Sequence, residues 1–328
     1  MDTKKIYIIA EIGNNHEGSV VTAKNLIKSA YRSGVDAVKF QTYITEEYVT
    51  KSNPSFKRLK KFELRPEDFI ELYSYAKKLN LDFISTPLDF SSAKLLIDLC
   101  SQIKVASGDN NFYDFIEYLL NKNKKLIISS GLTSMRDLRD LVKFILKKKG
   151  VKYLKNNLTL MHCVTSYPVE DQMANLLSVR FMKENFSKYQ IKIGYSDHTI
   201  GLTAPIAAVA LGAQIIEKHF TLDKNFSKFR DHKISLEPEE MKLLVSHLRK
   251  LEKQLGTYGK NIQKSEKKFT KIVRRNVFAK IKIFKNEKLN KRNVLFLRSK
   301  LKYHNNLRRN LFNSKSKKNY LPGDLIKI

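Results

Sequence analysis

Two histidines, His198 and His219, stand 21 residues apart in the run IKIGYSDHTIGLTAPIAAVALGAQIIEKHFTLD. Each follows a short β-like segment, 191–195 before the first and 214–217 before the second, with a small-residue helix over 202–211 between them. Strand, loop, helix, strand is the unit that makes two parallel neighbours. Both imidazoles then fall near the carboxyl ends of adjacent strands, where two neutral rings facing one cavity form half of a divalent metal site. The alternative for such a pair is two unrelated histidines satisfied by hydrogen bonds.

Other strand ends carry chemistry too. The first ends in Glu11-Ile-Gly-Asn-Asn-His-Glu17-Gly. Glu17 offers a carboxylate for proton transfer; equally, it can serve the N-terminus of the following helix. Lys39 lies inside the apolar run Val38-Lys39-Phe40-Gln41-Thr42, and Lys104 lies in another, followed by Ala106-Ser107-Gly108-Asp109. A lysine in an apolar strand is costly unless an anion meets it. Ser85-Thr86-Pro87, Ser129-Ser130-Gly131 and Tyr195-Ser196-Asp197-His198 add hydroxyls and loop N–H groups. Two buried cations with such donors make a pocket for a phosphate or a phospho-carboxylate.

The elements that position these residues alternate with little interruption. Strands are expected at 6–11, 35–41, 81–86, 103–106, 125–130, 158–164, 191–195 and 214–220, short and rich in Ile, Val, Leu or Phe. They do not alternate cleanly between apolar and polar, as suits strands buried on both faces. Helical periodicity fills the gaps, for example at 20–31, 66–79 and 237–255, the last two opened by proline and acids. Eight strands alternating with eight helices over 1–256 predict an α/β protein, a (β/α)8 TIM barrel, in preference to a doubly wound open sheet. Residues 257–275 read as a polar linker. Residues 276–328 read as a small β-rich module ending in a turn and a last strand, YLPGDLIKI.

Bulk properties narrow the class. The chain has 328 residues, 42% of them hydrophobic, which suits a soluble globular protein with a full core. No apolar stretch reaches membrane-spanning length, and MDTKKIYIIAEIG enters a strand-like run without a signal-peptide pattern. Cys100 and Cys163 sit in apolar segments as reduced thiols, so the expected compartment is the cytoplasm. The formal net charge is +30, and residues 260–328 hold 22 Lys and Arg against three acids. That tail permits polyanion binding, but it carries no nucleic-acid motif, and a lysine-rich bias runs through the whole chain.

The segments AEIGNNHEGS, VKFQT, ISTP, KVASGD, ISSGL, HCVTSYP, GYSDHT and EKHFTLD, in this order and spacing, resemble the sialic acid synthases, a family that includes legionaminate and pseudaminate synthases. The resemblance covers residues 6–256. The linker and the start of the tail are similar to the family's small antifreeze-like (SAF) domain. It implies a barrel that condenses phosphoenolpyruvate with an open-chain N-acetylmannosamine-type sugar and water, giving a nine-carbon 2-keto acid and phosphate. N-acetylneuraminate synthesis is the first choice; legionaminate or pseudaminate synthesis from a 2,4-diacetamido-trideoxyhexose is the alternative. A keto-deoxy sugar phosphate synthase shares the pocket logic, and a polyanion-binding barrel is the reading of a different class.

By the same resemblance His198 and His219 hold a divalent metal, usually Mn2+. Lys39, Thr86, Lys104, Ser107, Ser129 and Ser196 hold phosphoenolpyruvate, with Lys39 and Lys104 stabilising its charge. Gln41, Tyr167 and Asp231 contact the sugar, and Glu17 is the carboxylate of proton transfer. Asp109 stands where glutamate is common and Thr165 where some members have asparagine. Asp231 lacks the usual Gly-Pro before it, being preceded by Phe229-Arg230. In the tail, Leu297-Arg298-Ser299-Lys300 replaces a Lys-Arg-Pro-Gly run; Arg298 is the candidate to reach the partner's sugar in a domain-swapped homodimer. Asn110, Asn111 and Phe112 are candidates for reading the sugar's substituents.

Overall fold

Runs of Ile, Val, Leu and Phe that are apolar on both faces are stable only between two layers. In the computed structural model of the protein, which describes residues 5–299 and 311–327, they lie between a ring of helices and a filled interior. The strands are β1 (Tyr7–Gly13), β2 (Ala37–Thr42), β3 (Asp82–Pro87), β4 (Gln102–Val105), β5 (Lys125–Ser129), β6 (Leu158–Cys163), β7 (Lys192–Asp197) and β8 (Ile215–His219). They close into a parallel barrel in sequence order, β8 returning to β1 with Tyr7 opposite Ile215 and Glu11 opposite His219. The expected TIM barrel is present, and each strand falls within about two residues of its expected place.

The helices of this unit are α1 (Val20–Ser33), α2 (Thr45–Tyr48), α3 (Phe56–Phe62), α4 (Pro66–Lys78), α5 (Phe90–Leu99), α6 (Tyr113–Asn121), α7 (Met135–Asn157), α8 (Leu177–Asn185), α9 (Thr203–Ala210), α10 (Arg230–Ile234) and α11 (Pro238–Leu255). Their starts follow local chemistry. Ser19 caps α1 by accepting from the Thr22 N–H, and Asp89 caps α5 through the Ser92 N–H at 2.6 Å. Pro66 and Pro238 occupy first-turn positions, where a missing N–H is harmless. The helix α7 is broken at Gly150, whose φ of 75° is left-handed. Apolar side chains such as Leu26, Leu72, Phe115 and Leu244 pack the helices on the strands' outer faces. Each such buried side chain is worth about 1.5–3 kcal/mol.

Inside the barrel, residues two apart along each strand form layers. Ile9, Ala37, Ile84, Ile127, Met161 and Ile215 make an apolar floor. Gly194 on β7 belongs to this level: a Cβ there would come within 2.8 Å of the Ile215 carbonyl, so only glycine fits. One step further toward the strands' carboxyl ends come Glu11, Lys39, Lys104, Ser129, Ser196 and Glu217, so the polar layer rests on a dry plug. Cys100 and Cys163 are both buried free thiols. Among the described residues no helix is long and apolar enough to cross a membrane.

The chain divides at Thr257 and Tyr258 into two compact units. The second contains α12 (Lys264–Lys267) and α13 (Thr270–Val273), two short helices within the stretch expected to be a linker. It also contains β9 (Arg275–Ala279), antiparallel to β10 (Val294–Arg298). Val277, Ile283, Leu289, Val294, Leu311 and Tyr320 form its own core. The expected last strand is reduced to a single bridge, Leu325 with Phe278, and a bond from the Ile326 N–H to the Val277 carbonyl. Residues 300–310 and 328 of this module, Lys300 among them, lie outside the described residues.

Candidate active site

A cavity of about 540 Å3 opens at the carboxyl ends of the barrel strands. Its deepest charged groups are Lys39 and Lys104, both buried. Lys104 Nζ lies 2.9 and 3.0 Å from the two carboxylate oxygens of Glu217. Lys39 Nζ lies 2.8 Å from Glu11 Oε2, 3.7 Å from Glu217 Oε1 and 3.3 Å from Thr86 Oγ1. The Ser196 hydroxyl donates to Glu217 Oε1 at 2.9 Å. Two glutamates are thus the anions that meet the lysines of the apolar strands.

The two carboxyls are driven apart. Burial pushes the Glu11 carboxyl up, Lys39 pulls against it, and the nearby Glu217 charge adds to the rise, to a value well above the ordinary carboxylate range. Burial also opposes the Glu217 charge. There Lys104, Lys39 and the bonds from Lys104 and Ser196 outweigh it and hold the carboxyl low. With Glu11 the carboxyl that keeps its proton more readily, the two lysines outnumber the fixed negative charge, which favours a bound anion.

Hydroxyls surround the lysines. Ser107, Ser129, Ser196 and Thr86 all line the cavity. Gly131 allows the close approach here: a Cβ would lie 2.3 Å from Thr165 Oγ1 and 2.5 Å from Ser107 Oγ. Asp109 and Thr165 complete this side, and burial raises the Asp109 carboxyl.

Across the cavity, the His198 and His219 rings lie 5.3 Å apart, with the Tyr167 ring 4.1 Å from His198 and tilted by 33° to it. His198 Nδ1 is 2.9 Å from the Val164 carbonyl, so its proton sits there and Nε2 is left as the electron-pair donor. His219 Nδ1 is buried without a hydrogen bond, and burial, with the charges of His198 and Lys39, holds this imidazole neutral, well below its ordinary pKa. A neutral imidazole with an orphaned ring nitrogen fits a divalent cation; His198, where burial is outweighed by Cys163 and the Val164 carbonyl, which raise the pKa, would shed its Nε2 proton to join it. Among the described residues no group of three His, Cys, Asp or Glu gathers around one point, so water or substrate oxygens would complete the coordination.

Gln41, Tyr167 and Asp231 also line the cavity. Asp231 Oδ1 is buried without a hydrogen bond, 3.4 Å from Arg230 Nε. Burial raises its carboxyl despite Arg230. One residue expected in the site lies elsewhere. Glu17 is absent from the cavity wall, facing Ser227 and His232 of the β8–α11 segment. Arg298 lies exposed on β10 of the second unit, opposite Arg275. Asn110 instead ties two loops together, donating to the Ser129 and Gly131 carbonyls, and Phe112 packs on Phe90 and Phe115; with Asn111, they are absent from the wall.

The wall also holds residues that the motifs did not single out. Glu11 and Glu217 stood in plain view inside apolar strands, at the same cost that drew attention to the lysines. Asn14 donates to Gln41 Oε1 at 2.8 Å and leaves its own Oδ1 buried and unpartnered. Arg58 and Phe62 come from α3, whose exposed, basic sequence carries no motif. Arg58 lies over the ring of Phe229, and Arg230 over that of Tyr167. The pair that replaces Gly-Pro before Asp231 therefore builds part of the mouth.

The architecture agrees with the comparisons. The NeuB family model matches residues 26–260. The N,N'-diacetyllegionaminic acid synthase of Campylobacter jejuni is 40% identical, over 87% of this chain and 87% of its own length. Its Legionella pneumophila counterpart is 35% identical, over 89% of this chain and 85% of its own. The crystal structure of N-acetylneuraminic acid synthetase from Leptospira borgpetersenii, in complex with citrate, superposes with a TM-score of 0.76 at 33% identity, covering 82% of this chain and 91% of that one. On the extent of these matches, the chain belongs to the NeuB family of sialic and related nonulosonic acid synthases.

Proposed function

We propose that the protein joins phosphoenolpyruvate to the open-chain form of an N-acylated mannosamine-type sugar, with water, yielding a nine-carbon 2-keto acid and phosphate. The observation that carries this reading is the pairing within one cavity of two buried lysines with unpartnered polar atoms, Asn14 Oδ1, His219 Nδ1 and Asp231 Oδ1. Lys39 and Lys104 bind the phosphate and carboxylate of phosphoenolpyruvate, with Ser107, Ser129, Ser196 and Thr86 donating to its oxygens. Gln41, Asn14 and Asp231 take the polar groups of the sugar, and Tyr167 covers its reacting end. His198 and His219 would hold a divalent ion, Mn2+ by resemblance, which would supply Lewis-acid polarisation of the aldehyde oxygen. The dry Ile9–Ile215 floor keeps the lysine charges unscreened. The protein works as a cytoplasmic homodimer in which Arg298 serves the partner's site.

N-acetylmannosamine is one acceptor to test. The outer wall, however, includes Leu59, Phe62, Leu88, Leu132 and Phe229, and apolar side chains there suit a sugar bearing a methyl in place of a terminal hydroxyl. That favours a 2,4-diacetamido-2,4,6-trideoxymannose, in keeping with the names of the relatives at 40% and 35% identity.

The deciding experiment incubates the full chain with phosphoenolpyruvate, Mn2+ and a panel of both sugars and N-acetylmannosamine 6-phosphate. Phosphate release and product mass are followed. A product of the acceptor mass plus the pyruvate unit is expected, formed fastest from the trideoxy sugar. No phosphate release with any acceptor overturns the reading.

A further inference from the structure

The stretch between β8 and α11 leaves the barrel, carries Phe229, Arg230 and Asp231 into the cavity wall, and returns. Its return is tied to the strand: the Leu236 N–H donates to the His219 carbonyl at 2.8 Å, and the Thr221 N–H to the Leu236 carbonyl at 3.0 Å. The span between those ties is held by the loop after β1. Asn15 Nδ2 donates to Ser235 Oγ at 3.0 Å and to the Phe220 carbonyl at 2.9 Å. Glu17 Oε1 accepts a short bond from Ser227 Oγ and lies 3.4 Å from His232 Nε2. Ser227 Oγ in turn accepts from the Phe229 N–H at 3.0 Å, and His232 Nδ1 lies 2.7 Å from Thr221 Oγ1.

Glu17 thus reaches both sides of Asp231 through Ser227 and His232. Its own backbone sits at φ 47°, a left-handed conformation that a non-glycine residue keeps only when its surroundings over-determine it. Its neighbours at positions 11 and 14 line the cavity, and it does not.

The geometry points to Glu17 as a positioning residue: it latches the segment bearing Asp231 so that this carboxylate faces the acceptor sugar. This assignment rests on the proposed condensation, and it differs from the proton-transfer role that the family resemblance implies for the same residue. A latch acts on the acceptor's binding geometry, whereas a proton carrier acts on the chemical step.

The test compares wild type with Glu17→Gln, Glu17→Ala and His232→Ala, using Mn2+, phosphoenolpyruvate and the fastest acceptor of the panel. Hydrogen exchange across residues 226–235 is measured on the same proteins without substrate. Glu17→Ala and His232→Ala should raise the acceptor KM about tenfold, with a smaller fall in kcat and the phosphoenolpyruvate KM within about twofold. Glu17→Gln should give a smaller rise, because its amide oxygen still accepts from Ser227, and both limbs of the kcat–pH profile should remain. Exchange across 226–235 should quicken in Glu17→Ala and less in Glu17→Gln. A loss of about a hundredfold or more in the kcat of Glu17→Gln at unchanged acceptor KM, with one limb of the pH profile gone, identifies a proton carrier and overturns the latch. Unchanged exchange in Glu17→Ala also overturns it. If wild type turns over no acceptor, the condensation reading fails, and the exchange data alone decide the latch.

Discussion

Lys104 on β4 and Glu217 on β8 meet across the barrel interior, Nζ lying 2.9 and 3.0 Å from the two carboxylate oxygens. A buried pair of this kind satisfies the site while it is empty, and an incoming anion must compete with the carboxylate for the same ammonium. Glu217→Gln leaves Lys104 under-compensated. Breaking a buried pair costs about 3–5 kcal/mol, which in a unit this large lowers Tm by roughly 10 °C. Saturating phosphoenolpyruvate should restore more than half of that loss, since its charge replaces the missing one. Differential scanning calorimetry with and without the ligand checks this. Equal stabilisation of variant and wild type would show that the lysines are not where the anion binds.

Asn14 lines the cavity, is held by Gln41 and keeps a buried oxygen without a hydrogen bond. Asn14→Leu keeps similar bulk and removes that acceptor. One lost hydrogen bond is worth about 1 kcal/mol, so the acceptor KM should rise roughly five- to tenfold. The phosphoenolpyruvate KM should barely move. Steady-state kinetics with each substrate varied in turn decides; parallel changes in both constants would place Asn14 outside sugar recognition.

These two residues show why part of the site was legible in the sequence and part was not. Lys39 and Lys104 stood out because a lysine within an apolar strand demands a partner, and strand ends on one face of a barrel share a cavity whatever their separation in sequence. The identity of the partner is a different matter. Glu217 reaches Lys104 from the far side of the barrel, a relation that no local period encodes. Asn14 resembles an ordinary turn residue, and only its orphaned oxygen marks it. Arg58 and Phe62 arrive on α3, an insertion whose pattern says exposed and whose position alone makes it part of the mouth. The barrel strands were legible because burial on both faces leaves a direct mark on composition. The single bridge that stands for the last C-terminal strand was not, since one bridge needs no periodicity.

The imidazole pair leads to a direct binding measurement. Isothermal titration should show one Mn2+ bound by wild type and none by the double variant His198→Ala, His219→Ala. The double variant should lose at least about a hundredfold in kcat/KM, and added Mn2+ should not restore it. Chelator treatment of wild type should reproduce that loss reversibly. Undiminished Mn2+ affinity in the double variant would exclude these residues as ligands.

His16 makes stability depend on pH. It is 1% exposed, and burial lowers its pKa to about 4, against the modest upward pull of the Gly13 backbone. In the unfolded chain it titrates near 6.5, so below that value the unfolded state binds the extra proton. Stability contributed by the neutral imidazole is therefore fully present above pH 6.5 and is lost as pH falls toward 4, by roughly 3 kcal/mol in all. Burial depresses His219 in the same direction. The stability difference between wild type and His16→Gln, from urea unfolding, should be largest at pH 7.5 and shrink steadily down to pH 4.5. A difference independent of pH would mean that His16 is not held neutral by the fold.

Arg298 tests the dimer. It lies exposed on β10 without an acidic partner across the strand pair, where Arg275 stands opposite. If it completes the sugar site of the partner barrel, Arg298→Ala should raise the acceptor KM about tenfold and spare the phosphoenolpyruvate KM. Lys104→Ala, by contrast, disables the barrel that carries it and leaves its own Arg298 intact. In a mixed dimer the Arg298→Ala barrel receives an arginine from the Lys104→Ala chain, so one of the two sites is whole. Co-expression of the two variants should then recover activity at low acceptor concentration that neither shows alone. If the arginine serves its own chain, every site in the mixture lacks one group or the other, and mixing recovers nothing. The absence of complementation, with mixed dimers verified by differential tagging, would assign Arg298 to its own subunit or to no site.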